Sequence, residues 1–299
     1  MQIAIAGESF PPATGALRFA ALGDSTTLGI GDPMPDGAWR GWAALLAPVL
    51  GAPEQVELHN FAVSGARTHD VAGPQLAAAL RLRPHLASVV VGVNDTLRDR
   101  FDLAAIGAAL TGCVAALTAQ GSVVLTARLP EPGRMLGLPP ALARPLARRV
   151  NAINAVTDAI AARFGTVHVD AAAHPAVYDR RMWSVDRLHP SERGHRLLAN
   201  CFADALATAG FPVVGRPTLQ PDNPEPTRRA QAWWMASRGT RWVLRRGTDL
   251  LPGLAGMAMA EWWYGLRGAA NTFDDAVWRD VAAALDRLED WAVEDYVAA

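Results

Sequence analysis

The sequence predicts an α/β fold, a parallel sheet of about five strands with helices on both faces, and three observations carry this. Short β-rich runs alternate with longer stretches rich in Ala and Leu. Several of the runs are apolar at consecutive positions, as strands buried on both faces are. Polar, glycine-containing segments follow the strands, and right-handed crossovers gather such segments at one sheet edge, where open α/β sheets place their sites.

The first strand is expected in "LRFAAL" (17–22), followed by "GDSTTLG" and a helix within 38–50. "VELHNFA" (56–62) is the second, running into "AVSGART" and a helix over 71–83. "LASVVVGV" (86–93) leads to "GVNDTLRD" and a helix over 102–119. "SVVLTAR" (122–128) precedes a long helix at 139–163, and "TVHVD" (166–170) precedes the loop "WSVDRLHPSERGH" (183–195) and a helix over 191–209. Residues 212–227, "PVVGRPTLQPDNPEPT", read as a linker on their proline and polar content. The expected organisation is an N-terminal extension (1–15), an α/β domain (16–211), that linker, and a helical C-terminal subdomain (228–299) holding seven of the ten tryptophans.

Composition narrows the function. With 51% hydrophobic and 19% charged residues the chain is globular, and its net charge of −1 offers no general attraction to nucleic acid. All 28 basic residues are arginine. Without lysine there is neither Schiff-base chemistry nor a P-loop. Two distant cysteines, Cys113 and Cys201, make no zinc site or disulfide framework and are expected as buried thiols. The opening "MQIAIAGESFPP" lacks a basic n-region, and no window is apolar enough for a membrane span, so a soluble cytoplasmic protein is expected.

Acyl transfer needs a nucleophile, a base, a group that orients the base, and donors for the oxyanion. Ser25 stands where a strand hands over to a helix, which aims its own N–H into the crevice. His189 is the candidate base, with Asp186 three residues earlier to hold its Nδ1–H. Gly65 brings a backbone N–H close to a substrate, and the Asn94 amide can donate to developing negative charge. Singly, His189, Gly65 and Asn94 read better as a surface, turn and cap residue respectively, and Ser25 reads either way. No G-x-S-x-G elbow occurs in the chain, and "GDSTTLGIG" lacks the third glycine of a dinucleotide loop.

Taken together, "GDSTTLG", "NFAVSG", "GVND" and "VDRLHP" occur in order over residues 17–195. This set resembles the SGNH (GDSL-type) hydrolases, a family named for the four residues its motif blocks carry. The resemblance implies a flavodoxin-like three-layer α/β/α fold and serine ester hydrolysis with no metal or other cofactor. It implies Ser25 as nucleophile, His189 as general base and acid, Asp186 as its orienter, and Ser25, Gly65 and Asn94 as the oxyanion hole. Asp24, Asn60 and Asp95 would hold the motif loops. A small-molecule or lipid ester is the implied substrate. An acyltransferase using the same residues, and a non-catalytic binding protein on the same fold, are the alternatives.

The resemblance stops before the C-terminal region. Residues 228–246 carry six arginines and no acid, while 274–296 carry eight acids and two arginines, both with helical periodicity. Val277, Val281, Leu285, Leu288 and Trp291 or Ala292 form one stripe of the second. Between them, 254–266 is apolar nearly all round and is expected to be largely buried. The favoured reading is a helical cap whose basic and acidic helices face each other. A homodimer surface and a membrane-docking Trp/Arg helix are the alternatives.

Overall fold

In the computed structural model of the chain, residues 15–224, 251–269 and 271–291 are described. Five strands, β1 (Leu17–Gly23), β2 (Val56–Asn60), β3 (Leu86–Val90), β4 (Val123–Ala127) and β5 (Val167–Val169), form one sheet in the order β2-β1-β3-β4-β5. Every pairing is parallel, with Phe19 opposite Leu58 on one side and Leu86 on the other. β1 and β3 are almost wholly buried, which is why their sequences are apolar without alternation. β2, at an edge, is half-exposed.

This strand order reverses direction between β1 and β3, and open sheets bind ligands at such a switch point. Ser25 follows β1 and Asn94 follows β3, so two candidate residues stand on either side of it.

Helices Gly41–Leu46 and Glu192–Thr208 pack together, with Trp42 stacked on Phe202 at 4.7 Å and Phe19 beside them. His195, buried in the second helix, accepts from the Trp42 amide (3.2 Å) and donates from Nε2 to the Ile30 carbonyl (3.0 Å). Burial drives its imidazole down to about 4, so it is neutral and ties this helix to the segment after Ser25. Helix Leu103–Ala119, capped by Asp102, and helix Pro140–Phe164, ended by Gly165 in the left-handed region, also pack together.

Helix Asn271–Glu289 lies across these last two and buries Val281, Ala284 and Leu288, with Val277 and Leu285 partly buried beside them. Gly107, in the Leu103–Ala119 helix, lies beneath Ala284. Helix Leu251–Leu266 packs mainly on Pro140–Phe164, where Arg148 pairs with its buried Glu261 and with Asp274, and its Tyr264 meets Phe273 of helix Asn271–Glu289 edge-on at 4.7 Å. The expectation that 254–266 is largely buried is wrong. Met259, Trp262, Trp263, Tyr264 and Leu266 are exposed, because this helix lies on the outside and turns only one narrow stripe inward. The basic stretch 228–246 lies outside the described residues, as do 1–14 of the N-terminal extension, so the acidic helix meets Arg148 here. No helix among the described residues is long and apolar enough to cross a membrane.

Residues 213–224 are fastened to the α/β body rather than hanging from it. Val214 donates to the Val49 carbonyl (2.8 Å). Glu192, at the head of its helix, accepts from the amides of Asp222 (2.6 Å) and Asn223 (3.0 Å). Arg196 pairs with Glu192 and Asp222, while Arg40 pairs with Asp32, Glu192 and Asp222.

Candidate active site

Four loops after strand ends make the site. In the first, Asp24 caps the short helix Ser25–Leu28 by accepting from the Thr26 amide (3.0 Å), which points the start of that helix at the cleft. A side chain at Gly23 would collide with the Val90 carbonyl, so only glycine lets β1 turn there. The main chain of Gly23 is gripped on both sides by Gln75, which accepts from its N–H and donates to its C=O, both at 2.9 Å. Sequence reasoning missed Gln75. Its only signal was the Gly73-Pro74 break, which lies within the helical turn Val71–Gln75 that delivers it.

The second loop is tied to the first by Asn60. Its amide donates to the Thr27 carbonyl (2.8 Å), its oxygen accepts from the Ala62 amide (3.1 Å), and Val63 donates to the Gly23 carbonyl (3.3 Å). Gly65 then takes a φ of +81°, a conformation that favours glycine. In the third loop the Asn94 amide reaches the Ala66 carbonyl (3.0 Å) and the Asp24 carboxylate (3.3 Å), joining all three loops. Asp95 accepts from the Thr68 amide (3.1 Å) and hydroxyl (2.9 Å); burial still lifts its carboxyl above the usual range.

Asp24 is buried beside Ser25. Burial pushes its carboxyl up to about 6, against the pull of the Thr26 amide and of nearby His189.

The fourth loop delivers Asp186 and His189 as a unit. Asp186 Oδ2 stands 2.7 Å from His189 Nδ1, while Oδ1 accepts from the Ser184 hydroxyl (2.6 Å) and the Leu188 (2.9 Å) and His189 (3.1 Å) amides. Burial works to raise Asp186, but the hydrogen bond and charge of His189, with Ser184, hold it at about 2. An ionised carboxylate at Nδ1 places the imidazole proton there and leaves the Nε2 lone pair open. The loop is closed by a bridge between Trp183 and Pro190 and rests on Gly31, where any side chain would strike the Pro190 carbonyl.

Asp24, Ser25, Gly65, Asn94 and His189 all line one cavity of about 190 Å³. Its farther walls are apolar, with Leu129, Met135, Val177, Leu197 and Leu198 among them. Cys201 also borders it and is only half-buried; Cys113 is fully buried, its thiol pushed up to about 12. No group of His, Cys, Asp and Glu among the described residues is arranged to hold a metal ion. A hydroxyl, a carboxylate-oriented imidazole, a glycine N–H and a donor amide around one apolar cavity are the parts that acyl transfer uses.

A profile described as the GDSL-like Lipase/Acylhydrolase family matches residues 21–197, and the chain belongs to that family of carboxylic ester hydrolases. No curated protein sequence matches it. Among solved structures, an acetylxylan esterase from Geobacillus stearothermophilus superposes with a TM-score of 0.52 and 19% identity, covering 71% of this chain and 97% of that one. A single-residue variant described as an acetyl xylan esterase from the same organism gives 0.52 and 21%, over 67% and 98%. At such identities the likeness is one of fold, and it agrees with the five-stranded parallel sheet.

Proposed function

We propose that this chain hydrolyses carboxylic esters through an acyl-enzyme on Ser25, with His189 and Asp186 completing a triad. The observation that carries this reading is the 2.7 Å Asp186–His189 pair opening onto the same cavity as Ser25, Gly65 and Asn94. Ser25 Oγ attacks the ester carbonyl carbon as its proton passes to His189 Nε2. The carbonyl oxygen becomes an oxyanion, held by the N–H groups of Ser25 and Gly65 and by the Asn94 amide, which turns to it the N–H that otherwise makes the longer, 3.3 Å contact to Asp24. One such donor is worth about 3–4 kcal/mol in the transition state. The intermediate collapses, the C–O bond to the alcohol breaks, and the His189 proton goes to the departing oxygen. Water then attacks the acyl carbon, giving a proton to His189. Ser25 leaves with that proton, and the carboxylic acid is released.

The remaining residues position the loops. Asp24 accepts from the Asn94 amide, Asn60 pins the second loop to the first, Asp95 steadies the turn beyond Ala66 through Thr68, and Gln75 sets Gly23. The test is labelling with a fluorophosphonate, followed by peptide mapping and assay of Ser25→Ala. The reading requires the label on Ser25 and loss of nearly all ester turnover in the variant. Labelling elsewhere, or a fully active variant, refutes it.

A further inference from the structure

The cavity is divided by chemistry. Its hydrogen-bonding groups, Ser25, Gly65, Asn94 and His189, stand together, with the exposed Ser64 at the rim. The rest of the wall is mainly aliphatic and thioether, with Leu129 and Met135 after β4, Val177 after β5, and Leu197 and Leu198 from helix Glu192–Thr208, and Arg98, Arg128 and Trp183 also border it. Met135, Val177 and Leu197 are partly exposed and stand outside the packed core, so they are apolar surface lining the cavity. Two of the polar side chains on this side are turned to partners within the protein. The Trp183 indole donates to the Val177 carbonyl (2.6 Å), and the Arg128 guanidinium faces Asp158 and Asp170.

The wall runs from Ser25 after β1 to Ala171 after β5, which is three strand spacings in this sheet order, or about 14 Å. A zigzag chain with carbon–carbon bonds of about 1.5 Å advances about 1.25 Å per bond, so that distance is an upper limit of about twelve carbons. Hydrolysis also decides which half of an ester lies there. The alcohol must depart before water attacks, so it belongs at the open, polar rim. The acyl group stays bound through both steps, so it belongs in the apolar part.

We infer that the cavity is an acyl-chain site, and that this chain acts on esters of straight-chain fatty acids of about six to ten carbons rather than on acetyl esters. This rests on the serine hydrolase reading and specifies its substrate. Each methylene buried in such a wall raises kcat/KM about fourfold.

The test is a series of soluble 4-nitrophenyl esters from acetate to dodecanoate, run beside alkyl acetates of increasing alcohol length. We expect kcat/KM to climb from acetate to about octanoate by at least 30-fold, with no matching climb along the alkyl acetates. Leu197→Trp should move the optimum to shorter acyl chains and Leu197→Ala to longer ones, and the alanine variant keeps the test open if tryptophan disrupts the helix. A wild-type optimum at acetate that disappears in Ser25→Ala overturns the acyl-chain site and leaves the hydrolase reading intact. An equal climb along the alkyl acetates also overturns it, by placing the alcohol in the cavity. Absence of Ser25-dependent turnover across both series, with no fluorophosphonate label, overturns both readings.

Discussion

Gly31 touches nothing chemical, yet its replacement by alanine should disable catalysis. Its φ is +105°, and a Cβ there would press into the Pro190 carbonyl, next to His189 in sequence. Ordinary contact begins at 3.4 Å, and the clash is deeper than that by more than 1 Å. The neighbour is backbone, so rotating a side chain offers no relief. Either the Gly31 turn or the loop carrying Asp186 and His189 must shift by that distance. A misplacement of about 1 Å at a reacting group costs on the order of 10²-fold in rate. The positive φ adds roughly 1–2 kcal/mol of backbone strain. Gly31→Ala is therefore expected to lower kcat about 100-fold while the Asp186–His189 pair itself stays intact, since its hydrogen bonds lie within the loop. The assay is steady-state hydrolysis of the best 4-nitrophenyl ester, with calorimetric Tm on the same samples. A kcat within threefold of wild type, with Tm lowered or not, refutes the reasoning.

Two further outcomes are expected. Asp186→Asn removes the charge that holds the His189 proton on Nδ1; kcat should fall by about 10³–10⁴ with KM little changed, and a loss under tenfold would remove Asp186 from the triad. Asp24 acts on stability. Its folded carboxyl titrates at about 6, above the ordinary unfolded value of about 3.9, so the folded state holds the extra proton and stability from this group falls as pH rises between those values. Above pH 6 the deficit is about 3 kcal/mol. Asp24→Asn should therefore be more stable than wild type at pH 8 but not at pH 4 in urea titrations, and an equal difference at both pH values contradicts this account.

The parts legible in the sequence are those encoded over short spans. β1 and β3 announced themselves as unbroken apolar runs because both faces are covered. Ser25, Gly65 and Asn94 stood out because each follows a strand within a few residues, and strand ends meet at one edge, while His189 stood out through Asp186 three positions before it in the last long loop. What could not be read depends on partners far along the chain. Gln75 grips Gly23 across 52 positions, and Gly31 meets Pro190, which lies beyond the last strand. The exposed face of Leu251–Leu266 misled for a related reason. An all-apolar helix is expected inside, but burial depends on how many layers lie above it, and periodicity carries no count of layers.

The Glu192 cluster has a bearing on how the chain is made. Arg40 follows the first strand closely, but its carboxylate partners are Asp32, Glu192 and Asp222. As the polypeptide emerges from the ribosome, Arg40 and Asp32 are in place early, whereas Glu192 has its full set of donors only once Asn223 has been synthesised. Because Glu192 comes three residues after His189, the catalytic corner should settle last, as a latch thrown by the trailing segment. A nascent chain halted before Asp222 would carry every motif residue, with Trp42, Phe202 and His195 already able to dock helix Glu192–Thr208, and still lack the Asp222 and Asn223 contacts that close the Glu192 cluster.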